Sequence, residues 1–144
     1  MPTRKKQRRS FGVTVYCRHQ GAVLLVQRDR LWIPVCGEVD PGETPLEAAE
    51  RVLWTEVGIV HPIFPHIHSV LGAPAGLLLY EEHPAAGALV LAFAFIAEVP
   101  HKVLRSNGHH RGSVWVASMA ELPEGTPPYV QDAMPYALTA GVLG

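Results

Sequence analysis

Cysteine is scarce in this chain. Only Cys17 and Cys36 occur among 144 residues, with no C-x-x-C pair and no metal-finger spacing. A disulfide framework and a zinc finger are therefore not expected, and a reduced cytoplasmic location is the default. Long apolar runs are missing too. The longest, residues 88–97, is too short for a membrane-spanning helix. Arg8-Arg9-Ser10-Phe11 has the look of a twin-arginine export signal, but no sustained apolar region or small-residue cleavage site follows it. It reads as the start of a strand. Internal repeats and low-complexity segments are absent. What is present is a globular composition: 48% hydrophobic residues in a length that suits one domain with a core.

Charge is unevenly placed. Arg4, Lys5, Lys6, Arg8 and Arg9 supply five of the twelve basic side chains, leaving seven basic against thirteen acidic ones, a formal charge of −6. Residues 1–9 thus form a basic arm on an acidic body, with residues 10–144 as the domain. Such an arm could touch nucleic acid or anionic lipid. No aromatic side chains interleave with its charges, so a solvated, poorly ordered terminus is the better reading.

Hydrophobic patterning gives an order of elements. Residues 11–16 alternate and are rich in β-formers. Gln20-Gly21 turns the chain into a short aliphatic strand over residues 22–27. Residues 31–34 continue extended. Residues 59–71 are mostly extended but broken by Pro62 and Pro65. Two further strands are expected over residues 76–81 and 87–99, with Glu81-Glu82-His83-Pro84 in the hairpin between them. Another strand covers residues 113–117, and residues 119–122 form a short turn or helix. A final helix over residues 127–138 opens on Pro127 and Pro128 and is expected to kink at Pro135.

Residues 37–59, GEVDPGETPLEAAERVLWTEVGI, carry the most information. Thr44, then Pro45, then Glu47 make a capping box with proline at the first helical position, so a helix over roughly residues 45–56 follows. A helix turns about 100 degrees per residue. With Glu43 at zero, Leu46, Ala49, Leu53 and Val57 fall between roughly 240 and 320 degrees, one apolar stripe facing a core. Val52, Thr55 and Glu56 fall between roughly 120 and 220 degrees, on a neighbouring face expected to border a solvent-filled cleft. Glu47 and Glu50 lie well away from that face, and Glu47 suits an i,i+4 pairing with Arg51.

Gly37 is followed six residues later by Glu43 and eight further on by Arg51, with Glu56 and Gly58 ahead of Ile59. This spacing resembles the Nudix box, G-x5-E-x7-R-E-U-x-E-E-x-G-U with U a bulky aliphatic. Val114-Trp115-Val116 and Glu121-Leu122 also resemble the family's R-W-V-x-x-x-E-L region, so the likeness covers about residues 10–140. It implies an α/β fold, the Nudix α/β/α sandwich with a mixed β-sheet. It implies a hydrolase, dependent on Mg²⁺ or Mn²⁺, that cleaves a nucleoside diphosphate linked to another moiety. Glu43, Arg51 and Glu56 are then the catalytic set, Glu43 and Arg51 bracing the loop as an ion pair.

The chain departs from the pattern where the chemistry lies. Val52 and Thr55 stand where the family has Glu, and Val35-Cys36-Gly37 replaces the usual P-G-G. Glu56 remains as the metal ligand, joined by a backbone carbonyl of Cys36 or Gly37. One carboxylate and one carbonyl suit an ion only once a diphosphate adds oxygens. No residue is assigned as general base. The alternative is a catalytically inactive Nudix domain acting as a nucleotide- or partner-binding module, and a third reading is an RNA-end protein using the basic arm.

Other candidates read as packing or surface first. His109 and His110 sit in a loop, residues 105–112, that lacks the carboxylate many family members carry there, and imidazole is a candidate base. His66 and His68 share a face if that stretch is extended, without a visible third ligand. Tyr80, Phe93, Phe95 and Trp115 are candidate stacking partners for a base, better read as core. Glu38 and Asp40 lie in the box loop and are expected on the surface.

Overall fold

The computed structural model describes residues 9–64, 78–85, 88–100 and 111–139. The basic arm up to residue 8, His66, His68, His109 and His110 lie outside the described residues. The elements run β1 (Arg9–His19), β2 (Ala22–Arg28), β3 (Leu31–Ile33), β4 (Val35–Glu38), α1 (Pro45–Val57), β5 (Leu78–Ala85), β6 (Ala88–Glu98), β7 (Gly112–Val116), a single 3₁₀ turn (Met119–Glu121) and α2 (Pro128–Thr139). This is the expected α/β order: a mixed sheet with two helices.

β1 organises the sheet. It pairs in parallel with β6 from Arg9↔Leu89 to Arg18↔Glu98. Its other edge is shared. The C-terminal end pairs with β2 through Arg18↔Val23 and His19↔Ala22, and the stretch from Gly12 to Val15 pairs with β4. The side chains of β1 are buried at consecutive positions and not only at alternate ones, the pattern of a strand covered on both faces. Val13, Val15, Tyr16 and Cys17 are all buried, and Thr14 and Arg18 are buried with them. The turn at Gln20 and Gly21, both at positive φ, closes the β1–β2 hairpin as expected.

α1 starts on the predicted cap. Thr44 Oγ1 accepts from Glu47 N at 3.1 Å, and Glu47 Oε1 accepts from Thr44 N at 2.9 Å. The helix ends on Gly58 in the left-handed region at φ 70°, where Gly58 N donates to Trp54 O. α2 buries Val130, Met134 and Ala137, an i, i+4, i+7 stripe. It runs continuously through Pro135. Pro135 removes the hydrogen bond to the Gln131 carbonyl, and both residues are exposed.

Two expectations are corrected. Leu46 is exposed, whereas Ala48, Ala49, Val52, Leu53 and Val57 are buried, so the buried face of α1 is rotated toward Val52. Glu81, Glu82, His83 and Pro84 lie within β5 and not in a hairpin loop, and the pairing with β6 shifts register between Glu82 and Ala85. A proline donates no ladder hydrogen bond, which suits an edge strand at an irregularity. Beyond α1, Ile63 bridges Glu98 through hydrogen bonds of 2.8 and 2.7 Å, tying the exit of the helix to β6.

Candidate functional site

The loop between β4 and α1 is held by one guanidinium. Arg51 Nε donates to Glu43 Oε2 at 2.8 Å, and Arg51 Nη2 donates to Glu43 Oε1 at 3.2 Å and to the Glu38 carbonyl at 2.6 Å. Asp40 Oδ2 lies 3.4 Å from Arg51 Nε. Glu43 also accepts from Asp40 N at 2.8 Å, and Glu43 N donates to the Asp40 carbonyl at 3.0 Å. Between these anchors Gly42 takes φ 86°, a left-handed position that glycine occupies without strain. The bidentate fork of an arginine on a carboxylate fixes orientation as well as distance. The Arg51 hydrogen bonds and then that of Asp40 N hold the Glu43 carboxyl below its ordinary range, and the same pairing raises Arg51.

The expected Glu43–Arg51 pair is therefore present. The expected Glu47–Arg51 pair is not: Glu47 is spent on the helix cap, and Arg51 turns toward the loop.

The next residue decides what the site can hold. Val52 is 1% exposed. It sits against Gly37 of β4, where an added Cβ would lie 2.6 Å from Val52 Cγ2. Helix and strand approach this closely because one partner lacks a side chain. Val52 thus belongs to the core and not to a solvent-lined cleft. Ala48 at roughly 140 degrees and Val57 at roughly 320 bound an arc that takes in both buried Val52 at roughly 180 and half-buried Glu56 at roughly 220, so it is the contact with Gly37 that places Val52 in the core.

Thr55 is exposed at the margin of that arc, its hydroxyl donating back to the Val52 carbonyl at 3.4 Å. Glu56 is half-buried and close enough to raise the Arg51 pKa slightly through its charge. Cys36 and Gly37 pair with Thr14 and Val13 of β1, so their backbone belongs to a ladder. Cys36 is half-buried, and its Sγ lies 3.9 Å from the donor Arg28 Nη1, a neighbour that sequence spacing did not suggest. Glu38 and Asp40 are exposed. Phe95 is buried, packed edge-on against Phe64, and Trp115 meets His19 edge-on, so both belong to packing.

These residues do not make a resident site for a hard cation. Among the described residues no group of three His, Cys, Asp or Glu side chains is placed to hold a metal ion. The remaining segments, residues 1–8, 65–77, 86–87, 101–110 and 140–144, contain no Asp or Glu at all. They can add imidazole, which suits softer metals, but no carboxylate. Glu81 and Glu82 lie on β5, separated from β1 by β6.

The family model of the NUDIX domain matches residues 6–122. Among solved structures, a NUDIX-family hydrolase from Clostridium perfringens superposes with a TM-score of 0.76 at 17% identity, over 95% of this chain and 99% of that one. The MutT protein from Methanosarcina mazei Go1 gives 0.70 at 22% identity, over 92% and 94%. The E. coli dihydroneopterin triphosphate pyrophosphohydrolase gives 0.63 at 21% identity, over the same shares. At these identities the likeness is one of fold. No curated protein sequence matches the chain.

Proposed function

The chain belongs to the Nudix family, and on that premise we propose that it is a phosphoanhydride hydrolase acting on a nucleoside diphosphate linked to another moiety. The observation that carries this reading is the Arg51 fork on Glu43. It fixes the loop that leads into α1, and Glu56 follows Arg51 by about one and a half turns of the same helix. A domain with only a packing role has little use for so rigid a polar loop. The neighbouring E. coli protein, a pyrophosphohydrolase of dihydroneopterin triphosphate, keeps the bond class and widens the groups that such a fold accepts beyond nucleosides.

Hydrolysis here adds water across a P–O–P linkage. The water oxygen bonds to phosphorus, and the bridging oxygen leaves with the other phosphate. The chain's own part is positional. Arg51 and Glu43 hold the loop, and Glu56 would be the acidic group that takes a proton or shares a cation the ligand carries. Loss of one catalytic carboxylate lowers a rate by about 10² to 10⁴, so turnover should be slow. Among the described residues no helix is long and apolar enough to cross a membrane. With both cysteines free, a reducing compartment such as the cytoplasm suits the chain.

The test is a turnover screen of the full chain over nucleoside diphosphates linked to sugars, nucleosides and alkyl groups, and over nucleoside triphosphates, with Mg²⁺ or Mn²⁺. Release of a phosphorylated product that Glu56→Gln abolishes is expected. No turnover on any compound, together with saturable binding of one, would leave the second reading: an inactive Nudix domain that binds a nucleotide-like ligand or a partner. The burial of Val52 at a position where the family has a carboxylate favours that reading.

A further inference from the structure

The hairpin between β2 and β3 gathers charge of one sign. Its two turn residues, Asp29 and Arg30, both lie in the left-handed region, at φ 50° and 68°. A two-residue turn of this kind favours glycine in second place. Arg30 holds that place instead, in a backbone conformation that a residue with a Cβ adopts only at a cost. The turn is clamped: Trp32 N donates to the Gly125 carbonyl at 3.1 Å, and a Cβ on Gly125 would lie 2.8 Å from the Arg30 carbonyl. Arg28, at the end of β2, brings Nη1 to 3.9 Å from Cys36 Sγ on β4, next to Gly37 of the box. On β7, Gly112 pairs with Gln27, and Arg111 N donates to the Gln27 carbonyl at 3.1 Å, which sets Arg111 beside Arg28. All three arginines are exposed.

We propose that Arg28, Arg30 and Arg111 form an anion subsite beside the box strand, which selects ligands whose second moiety carries a phosphate or a carboxylate. The selection rests on the proposed reading that the box takes a diphosphate linked to such a moiety; the subsite itself does not. Arg28 joins the two places, because Cys36 precedes Gly37, on which Val52 of α1 is seated.

The charge balance carries it. Residues 10–144 have a formal charge of −6, yet three of their seven basic side chains stand at this one corner. The acids next to these elements are Asp29, Glu38 and Glu124, and none of them is ion-paired with the three arginines. Among the described residues the ion pairs are those of Arg18 and Arg51. The segments outside the described residues bring no Asp or Glu. Like charges at neighbouring positions of adjacent strands repel. An anion between them removes that repulsion. It also accepts charge-assisted hydrogen bonds from planar guanidinium forks, whose geometry suits phosphate and carboxylate.

The test uses the full chain and two probes. The first is inorganic phosphate, titrated at constant ionic strength with sodium chloride as the balance, and read at the backbone amides of Arg28, Arg30 and Arg111. These should shift saturably with a Kd on the order of 1–10 mM, the affinity that a few charge-assisted hydrogen bonds give a small ion. Arg30→Gln and Arg111→Gln, both at exposed positions, should each weaken it, and the double variant should lose saturation. The second probe is a pair of nucleoside diphosphates, one linked to glucose and one to glucuronic acid, which differ by a single carboxylate. Nucleoside triphosphate supplies the phosphate case, and each compound is presented with every common base. Wild type should favour the charged members by about tenfold in kcat/KM, and Arg111→Gln should reduce that preference.

Phosphate shifts that do not saturate, or that persist in the double variant, would overturn the subsite whatever the turnover. A saturable site together with turnover that ignores the charge of the second moiety would overturn the selection and leave the hydrolase reading standing. A saturable site with no turnover on any compound would overturn the hydrolase reading and the selection with it, and would uphold the anion subsite.

Discussion

Val52 fills the space that a side chain on Gly37 would need, its Cγ2 lying 2.6 Å from where that Cβ would be. A β-branched residue on the helix and a glycine on the strand therefore act as one packing unit. Gly37→Ala should destabilise the fold by about 1–3 kcal/mol through overpacking, and Val52→Ala by about 2–4 kcal/mol through the cavity it leaves. In the double variant the added methyl fills part of that cavity. The sum should then fall short of additive by about 0.5–3 kcal/mol, measured by urea unfolding. Strict additivity would mean the two residues do not share that space.

Rebuilding the family's carboxylates should cost unequal amounts. Val52→Glu puts an unpaired charge into a position that is 1% exposed, so about 2–4 kcal/mol of stability should be lost. Thr55 is exposed, and Thr55→Glu should stay within about 0.5 kcal/mol of wild type. Thermal unfolding of the two single variants separates these cases. Equal losses would show that Val52 and Thr55 do not differ in burial.

Acid should act through Glu43. Its folded-state carboxyl titrates below the ordinary range because Arg51 and Asp40 N donate to it. The unfolded chain therefore binds the proton more readily. The stability this pair adds is present above the unfolded value of about 4.3 and is lost as pH falls through the lower folded value. Wild type should unfold at a higher temperature than Glu43→Gln at pH 7, with the gap narrowing by pH 3. In Arg51→Lys, which keeps the charge but not the fork, the Glu43 carboxyl should titrate higher, as a carbon-detected NMR titration would record. An unchanged titration would mean that charge alone sets it.

The cap on α1 should be worth about 1 kcal/mol. Thr44→Ala removes the acceptor for Glu47 N and should lower stability by roughly that amount, while Thr44→Ser should keep most of it. Chemical denaturation of the three proteins side by side is sufficient. A Ser variant as weak as the Ala variant would mean the hydroxyl bond is not the source.

The two thiols should react differently. Cys17 is fully buried, and burial pushes its thiol well above the ordinary cysteine range. Cys36 is half-buried beside Arg28. A disulfide exchange reagent at neutral pH should label Cys36 in the native protein and Cys17 only at the rate of unfolding. Two equally fast labels would show that β1 opens locally.

What the sequence determined alone was local or short in range. The cap of α1 is written in Thr44, Pro45 and Glu47, which satisfy the first turn from within three residues. Gly58 ends the helix because the left-handed conformation favours glycine. The pairing of Glu43 with Arg51 spans eight residues across one loop and helix start, and the spacing of the Nudix box already implied it. The β1–β2 turn likewise lies in Gln20 and Gly21. Only the tertiary structure decided the fate of Val52. On the helical wheel it stands at the edge of the apolar stripe, where periodicity cannot separate core from cleft. Its burial depends on Gly37, fifteen residues away on a strand whose own position is set by pairing with β1. The same holds for Glu81 and Glu82, whose polar composition suggests a turn but whose backbone pairs with Leu91 and Val90 of β6. In both places a long-range contact overrode a local preference, through packing on Gly37 for Val52 and through pairing with β6 for Glu81 and Glu82.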